Sequence, residues 1–76
     1  SSTDKEKVTT DENELLSQIL TSTDGVGDSK VLLSDNGVVV VCDGAENAKV
    51  RLDIIRAISS YTGFASSKIT ILKMAN

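Results

Sequence analysis

Asp35, Asn36 and Gly37 stand between two apolar runs, residues 30–34 and 38–42, and this arrangement constrains the fold more than any other feature of the chain. Asn-Gly tolerates positive φ at both positions, so two β-prone runs joined by it form a tight antiparallel hairpin. With Asn36 and Gly37 as the two loop residues, Leu33 faces Val40 and Val31 faces Cys42. The run Val38, Val39, Val40 and Val41 does not alternate with polar residues, which predicts a strand buried on both faces or placed centrally in a sheet.

A helix is expected on the N-terminal side of the hairpin. Thr9 followed by Glu12 has the spacing of a capping box, and Leu15, Leu16, Ile19 and Leu20 recur at helical intervals, giving a helix over residues 11–23. Gly25, in Asp24-Gly25-Val26-Gly27, suits the left-handed conformation that closes a helix. Residues 1–8 hold one apolar side chain and read as a flexible tail, leaving 9–76 as a single domain. After the hairpin, Asn47 is placed to cap a second helix reaching Thr62, with Gly63 beyond its end. Residues 68–73, with Ile69, Ile71 and Leu72, form a third strand.

The order is therefore α-β-β-α-β, an α+β fold with two helices on one face of a three-stranded mixed sheet. A chain of 76 residues buries only ~60% of its unfolded surface and supports one core. Two places are open to the third strand. Beside the first strand it makes a split β-α-β unit, the expected form, and beside the second it makes an adjacent parallel pair.

On the second helix, Val50, Ile54, Ala57, Ile58 and Tyr61 fall within the arc of a core-facing stripe. Leu52 lies almost opposite the centre of that stripe, with Ile55 on its flank. Leu52 and Ile55, bordered by Arg51 and Arg56, are the candidate assembly surface. A singly exposed leucine is also ordinary on a protein surface.

Residue types narrow the chemistry. The chain has no His, which removes Ser-His-Asp and Cys-His arrangements and any imidazole base. Cys42, the single cysteine, closes a valine-rich strand and reads as a small buried hydrophobe. One Cys and no His cannot complete a tetrahedral metal site, and the acids Asp35, Asp43 and Glu46 lack the spacing of a calcium loop. Gly25-Val26-Gly27 follows a helix and lacks a third glycine, so it is not a dinucleotide fingerprint. No cofactor is expected. A net charge of −3 with no basic cluster argues against nucleic acid. The expected role is binding to other protein subunits, with no enzymatic activity; the alternative is a KH-like or ferredoxin-like module for nucleic acid or a small ligand, on a fold that hosts many functions.

Several segments together carry a resemblance. They are Asp24-Gly25-Val26-Gly27-Asp28 with Lys30-Val31, the valine run ending before Asp43-Gly44-Ala45-Glu46-Asn47, Val50-Arg51 opening a long helix, Thr62-Gly63-Phe64, and Lys68-Ile69-Thr70-Ile71-Leu72-Lys73-Met74. Over residues 24–74 the chain resembles the C-terminal domain of the stage III sporulation protein AG family, a component of the channel between mother cell and forespore. The resemblance implies a ring-building motif, a fold shared with ring components of type III secretion systems. It implies as partners further copies of the chain in a homo-oligomeric ring and other sporulation channel proteins. It also implies a place in the intermembrane space around the forespore, anchored through an upstream transmembrane helix that this chain does not contain. Family members carry a long insertion between the first two strands, where Asp35-Asn36-Gly37 turns directly here.

Overall fold

The computed structural model describes residues 11–76. Helix α1 (Glu12–Thr21) leads into a hairpin of β1 (Ser29–Ser34) and β2 (Gly37–Cys42). Helix α2 (Ala48–Thr62) then crosses to β3 (Ile69–Lys73) through a 3-10 turn over Ser66–Lys68. The fold is α+β, in the order expected from the sequence.

Local chemistry sets the helix ends. Asp11 caps α1, its Oδ1 accepting from the Asn13 N–H at 2.8 Å; Thr9 of the expected capping box lies outside the described residues. The helix stops at Thr21, short of the expected residue 23. The Ser22 hydroxyl joins its own N–H on the Gln18 carbonyl at 2.8 Å, and the Thr23 hydroxyl meets the Ile19 carbonyl at 3.0 Å while its N–H goes to Leu20. For α2 the sequence reading holds at both ends. Asn47 Oδ1 accepts from the N–H groups of Lys49 and Val50 at 2.9 and 3.2 Å. Gly63, at φ 80°, is the left-handed C-cap.

The hairpin is where the sequence places it, with a different register. Ser34 pairs with Gly37, Leu33 with Val38 and Val31 with Val40, so the loop residues are Asp35 and Asn36. Neither takes a positive φ. The Ser34 side chain builds the turn instead: its Oγ accepts from the Asn36 N–H and donates to the Gly37 carbonyl, both at 3.2 Å. Gly37 is needed for a different reason, since a Cβ there would stand 2.5 Å from the Lys68 carbonyl oxygen. The pairing shifts by two residues, an even number, so every side chain keeps its face.

The sheet order is β1-β2-β3, with β2 antiparallel to β1 and parallel to β3. This corrects the expected split unit: β3 lies beside β2, in register from Val38 against Ile69 to Cys42 against Lys73. An antiparallel hairpin leaves one side of β2 open, and α1 already occupies the outer edge of β1, so the free side of β2 is where a returning strand pairs. Central placement of the valine run is thus observed, whereas burial on both faces is not. Val38 and Val40 are buried, Val41 is half-buried and Val39 is 42% exposed, because no layer among the described residues covers the second face.

The core is one cluster on the covered face. Leu16 and Leu20 of α1 and Val50, Ile54 and Ile58 of α2 meet Val38, Val40, Cys42, Ile69 and Ile71, with Val26 and Ala45 from the loops. Buried Ser29 is satisfied within it, its Oγ donating to the Ser17 carbonyl at 2.9 Å and lying 2.8 Å from the Thr21 hydroxyl. Tyr61 and Ala57, expected in the core stripe of α2, are exposed. Helix α1 packs mainly on β1, so it encloses Ile58 but leaves Ala57 and Tyr61 on the open side of the groove between the helices.

Candidate functional site

Helix α2 presents the four residues expected to form the assembly surface, and the structure gives them different surroundings. Leu52 is 48% exposed and points away from the sheet side of the helix. Ile55 is half-buried against the core. Arg51 is held down: its Nη1 donates to the Ala45 carbonyl at 3.1 Å and approaches the Ile71 carbonyl at 3.4 Å, tying α2 to β3. Arg56 is exposed on the outer side of the helix. Leu52 and Arg56 thus share an open surface, while Arg51 and Ile55 form the seam between α2 and the sheet.

Two larger apolar surfaces lie elsewhere: the open face of the sheet, which follows from placing both helices on one side, and a groove that the sequence reading does not anticipate. The first is the uncovered face of the sheet. Leu32 pairs with Val39, Val39 with Thr70, Lys30 with Val41 and Val41 with Leu72, so these side chains form two cross-strand rows on that face. Leu32, Val39 and Leu72 are 63, 42 and 50% exposed, which makes a continuous apolar patch across all three strands. The second is a groove of about 210 Å³ between the helices, where Leu15, Ile19, Ala57 and Tyr61 stand above the buried Leu16, Leu20 and Ile58. At its end the Tyr61 hydroxyl donates to the Glu12 carboxylate, bridging α2 to α1 and holding the tyrosine pKa above its ordinary value. Sequence signals for both exist. Residues 32 and 39 alternate with buried neighbours, and four apolar residues among Leu15, Leu16, Ile19 and Leu20 span more arc than one packed stripe needs.

A cavity of about 580 Å³ is a shallow, open trough lined by Asp11, Glu12, Asn13, Asp35, Tyr61 and Phe64 among others. It brings together carboxylates, hydroxyls and the Tyr61 phenol. Cys42 is fully buried at the end of β2; burial, then the neighbouring Asp43, pushes its thiol pKa up, Arg51 opposes this, and Glu46 adds to the rise. Such a thiol is a packed side chain and a poor nucleophile. Lys49 pairs with Asp53 at 2.9 Å one turn along α2, an exposed contact that raises the lysine pKa and adds little to stability. Among the described residues no group of three or more His, Cys, Asp or Glu is placed to hold a metal ion. None of the described helices is long and apolar enough to cross a membrane.

Against known proteins, the model of the SpoIIIAG C-terminal domain family matches residues 34–75, more than half of the chain. The match takes in β2, α2 and β3 and begins at the last residue of β1. No curated protein matches the chain.

Proposed function

The chain belongs to the SpoIIIAG C-terminal domain family, and from this premise we propose that it is a ring-building domain of the sporulation channel, working by subunit association and not by catalysis. In this reading copies stand side by side in the space between the mother cell and forespore membranes, joined to one another and to other channel proteins. The observation that carries it is the presence of two apolar surfaces on opposite sides of one small domain: the Leu32, Val39 and Leu72 face of the sheet and the Leu15, Ile19 and Tyr61 groove between the helices. A single patch favours a two-fold dimer that closes on itself. Two different patches on opposite sides favour head-to-tail contacts, which continue from copy to copy until they close a ring.

Leu52 and Arg56 extend this account along the exposed side of α2, where they flank each head-to-tail contact. The direct hairpin turn at Asp35 and Asn36 stands where the family is expected to carry an inserted β structure, so the contacts proposed here are those of the α+β body. Tethering to a membrane raises effective concentration and strengthens weak contacts by ~10²–10⁴-fold without new ones.

The test is sedimentation velocity over a wide concentration range, together with electron microscopy of the chain displayed on a membrane surface. Oligomers that grow with concentration, or rings on the membrane, are expected. A strict monomer in both settings contradicts the reading. Leu52→Glu is expected to weaken association, and an unchanged profile removes α2's outer side from the interface.

A further inference from the structure

The two edges of the sheet are finished differently. Along β1 two of the outward backbone groups are met by α1: Asn13 Oδ1 accepts from the Leu33 N–H at 2.9 Å, and the Ser17 hydroxyl donates to the Ser29 carbonyl at 2.5 Å. The other edge is β3. In a parallel ladder a residue turns its N–H and C=O toward the same neighbour, and alternate residues turn away. Met74 donates its N–H to the Cys42 carbonyl at 3.1 Å. This sets Leu72 and Thr70 toward β2 and directs the backbone groups of Ile69, Ile71 and Lys73 outward. Arg51 approaches the Ile71 carbonyl at 3.4 Å, a long contact to an acceptor that has two lone pairs.

Charge marks the same edge. All 11 acidic residues of the chain precede Ile54, and the basic residues beyond it are Arg56, Lys68 and Lys73. Lys68 and Lys73 bracket β3, and Arg51 reaches over it from α2. Arg51, Lys68 and Lys73 therefore stand along one strand edge of a protein of net charge −3, with Asp43 and Glu46 in the loop near its Lys73 end. This pattern disfavours a second copy of β3 as the occupant, because antiparallel pairing centred on Ile71 brings two Arg51 guanidinium groups together. It suits an acidic strand.

We propose that the outer edge of β3 takes an extended, acidic segment of a different protein chain as a fourth strand. Backbone hydrogen bonds to Ile69, Ile71 and Lys73 supply affinity, as in other cases of strand addition, and carboxylates facing Arg51, Lys68 and Lys73 supply selection. Ile55, one turn beyond Arg51 on α2, gives one side chain of that segment an apolar contact. The edge is separate from both surfaces invoked for ring contacts, so this proposal and the ring reading fail independently.

Amide hydrogen exchange by NMR on the whole chain tests it, with a synthetic peptide alternating Glu with Val and Thr and a matched peptide carrying Lys for each Glu. The acidic peptide is expected to slow exchange at Ile71 and Lys73 by ~10-fold, leaving Leu33 on the opposite edge unchanged. The basic peptide is expected to do nothing, and added salt to weaken the acidic peptide's binding. Lys73→Pro, which deletes an outward N–H, and Lys68→Glu, which reverses a charge outside the strand, should each weaken binding by about tenfold, the scale of one lost charge-assisted bond. Unchanged exchange at Ile71 and Lys73, equal protection by both peptides, or protection appearing at Leu33 instead would overturn the proposal. So would protection of Ile71 that grows with protein concentration and needs no peptide, since the occupant would then be a second copy.

Discussion

The same three strands present two faces built from nearly the same kinds of residue, and only one of them is covered. On the helix side Val38, Val40, Ile69 and Ile71 are buried, while on the other side Leu32, Val39 and Leu72 are each at least two-fifths exposed. Hydrophobicity alone does not separate the faces. What separates them is whether a second layer of the same chain exists to remove them from water, and the described residues place two helices on one side. Apolar residues on the covered side therefore carry the fold, and those on the open side are free to serve association.

That contrast can be broken at its strongest point first. Ile54→Ala or Ile58→Ala, both at fully enclosed positions, is expected to cost ~2–5 kcal/mol in urea denaturation, enough to unfold a domain of this size in part or whole. A loss below about 1 kcal/mol would mean that the helix side is not the core. The cap at the start of α2 comes next. Asn47→Ala removes the acceptor for two N–H groups and should lower stability by about 1 kcal/mol, with Asn47→Asp restoring most of it. On the open side, Leu32→Glu or Val39→Thr should shift stability by no more than ~0.5 kcal/mol while reducing self-association. A large stability loss there would show that the face is packed within the monomer.

The smallest effect expected is with pH and sits on the covered side, at Cys42. Its thiol pKa is raised in the folded chain, so the folded state holds its proton where the unfolded thiol gives it up. The associated stability is full below the unfolded thiol's pKa and declines as pH rises through that value toward the raised one. Stability of the wild type should fall more steeply above about pH 9 than that of Cys42→Ala, measured by urea midpoints at stepped pH. Parallel curves would indicate a thiol in contact with water.

Much of this fold is legible in the residues, and the parts that are not share a cause. Helix α2 is readable from Asn47 to Gly63 because both ends carry caps that act locally. The hairpin is readable as a hairpin, but its register is not. Asn36-Gly37 carries the chemistry of a positive-φ turn, whereas Ser34 Oγ and the close approach of Lys68 to Gly37, a contact from more than thirty residues away, decide which residues loop. The place of β3 is open for the same reason, since periodicity describes a strand and not its neighbour. Tyr61 looks like core on a helical wheel and is exposed because α1 sits on β1. Of the candidate surface, Leu52 and Arg56 are exposed as expected, while Arg51 and Ile55 have tertiary partners that no local pattern specifies.

The central claim, that two opposite apolar surfaces meet head to tail, is tested most directly by mixing two damaged copies. Leu32→Glu spoils the sheet face and Ile19→Glu spoils the helix groove, both at exposed positions. In sedimentation velocity each variant alone is expected to stay monomeric at concentrations where the wild type associates, and an equal mixture to form a dimer and nothing larger, because one intact face of each kind remains. Failure of the mixture to associate while the wild type does, or undiminished association of either variant alone, would contradict the account.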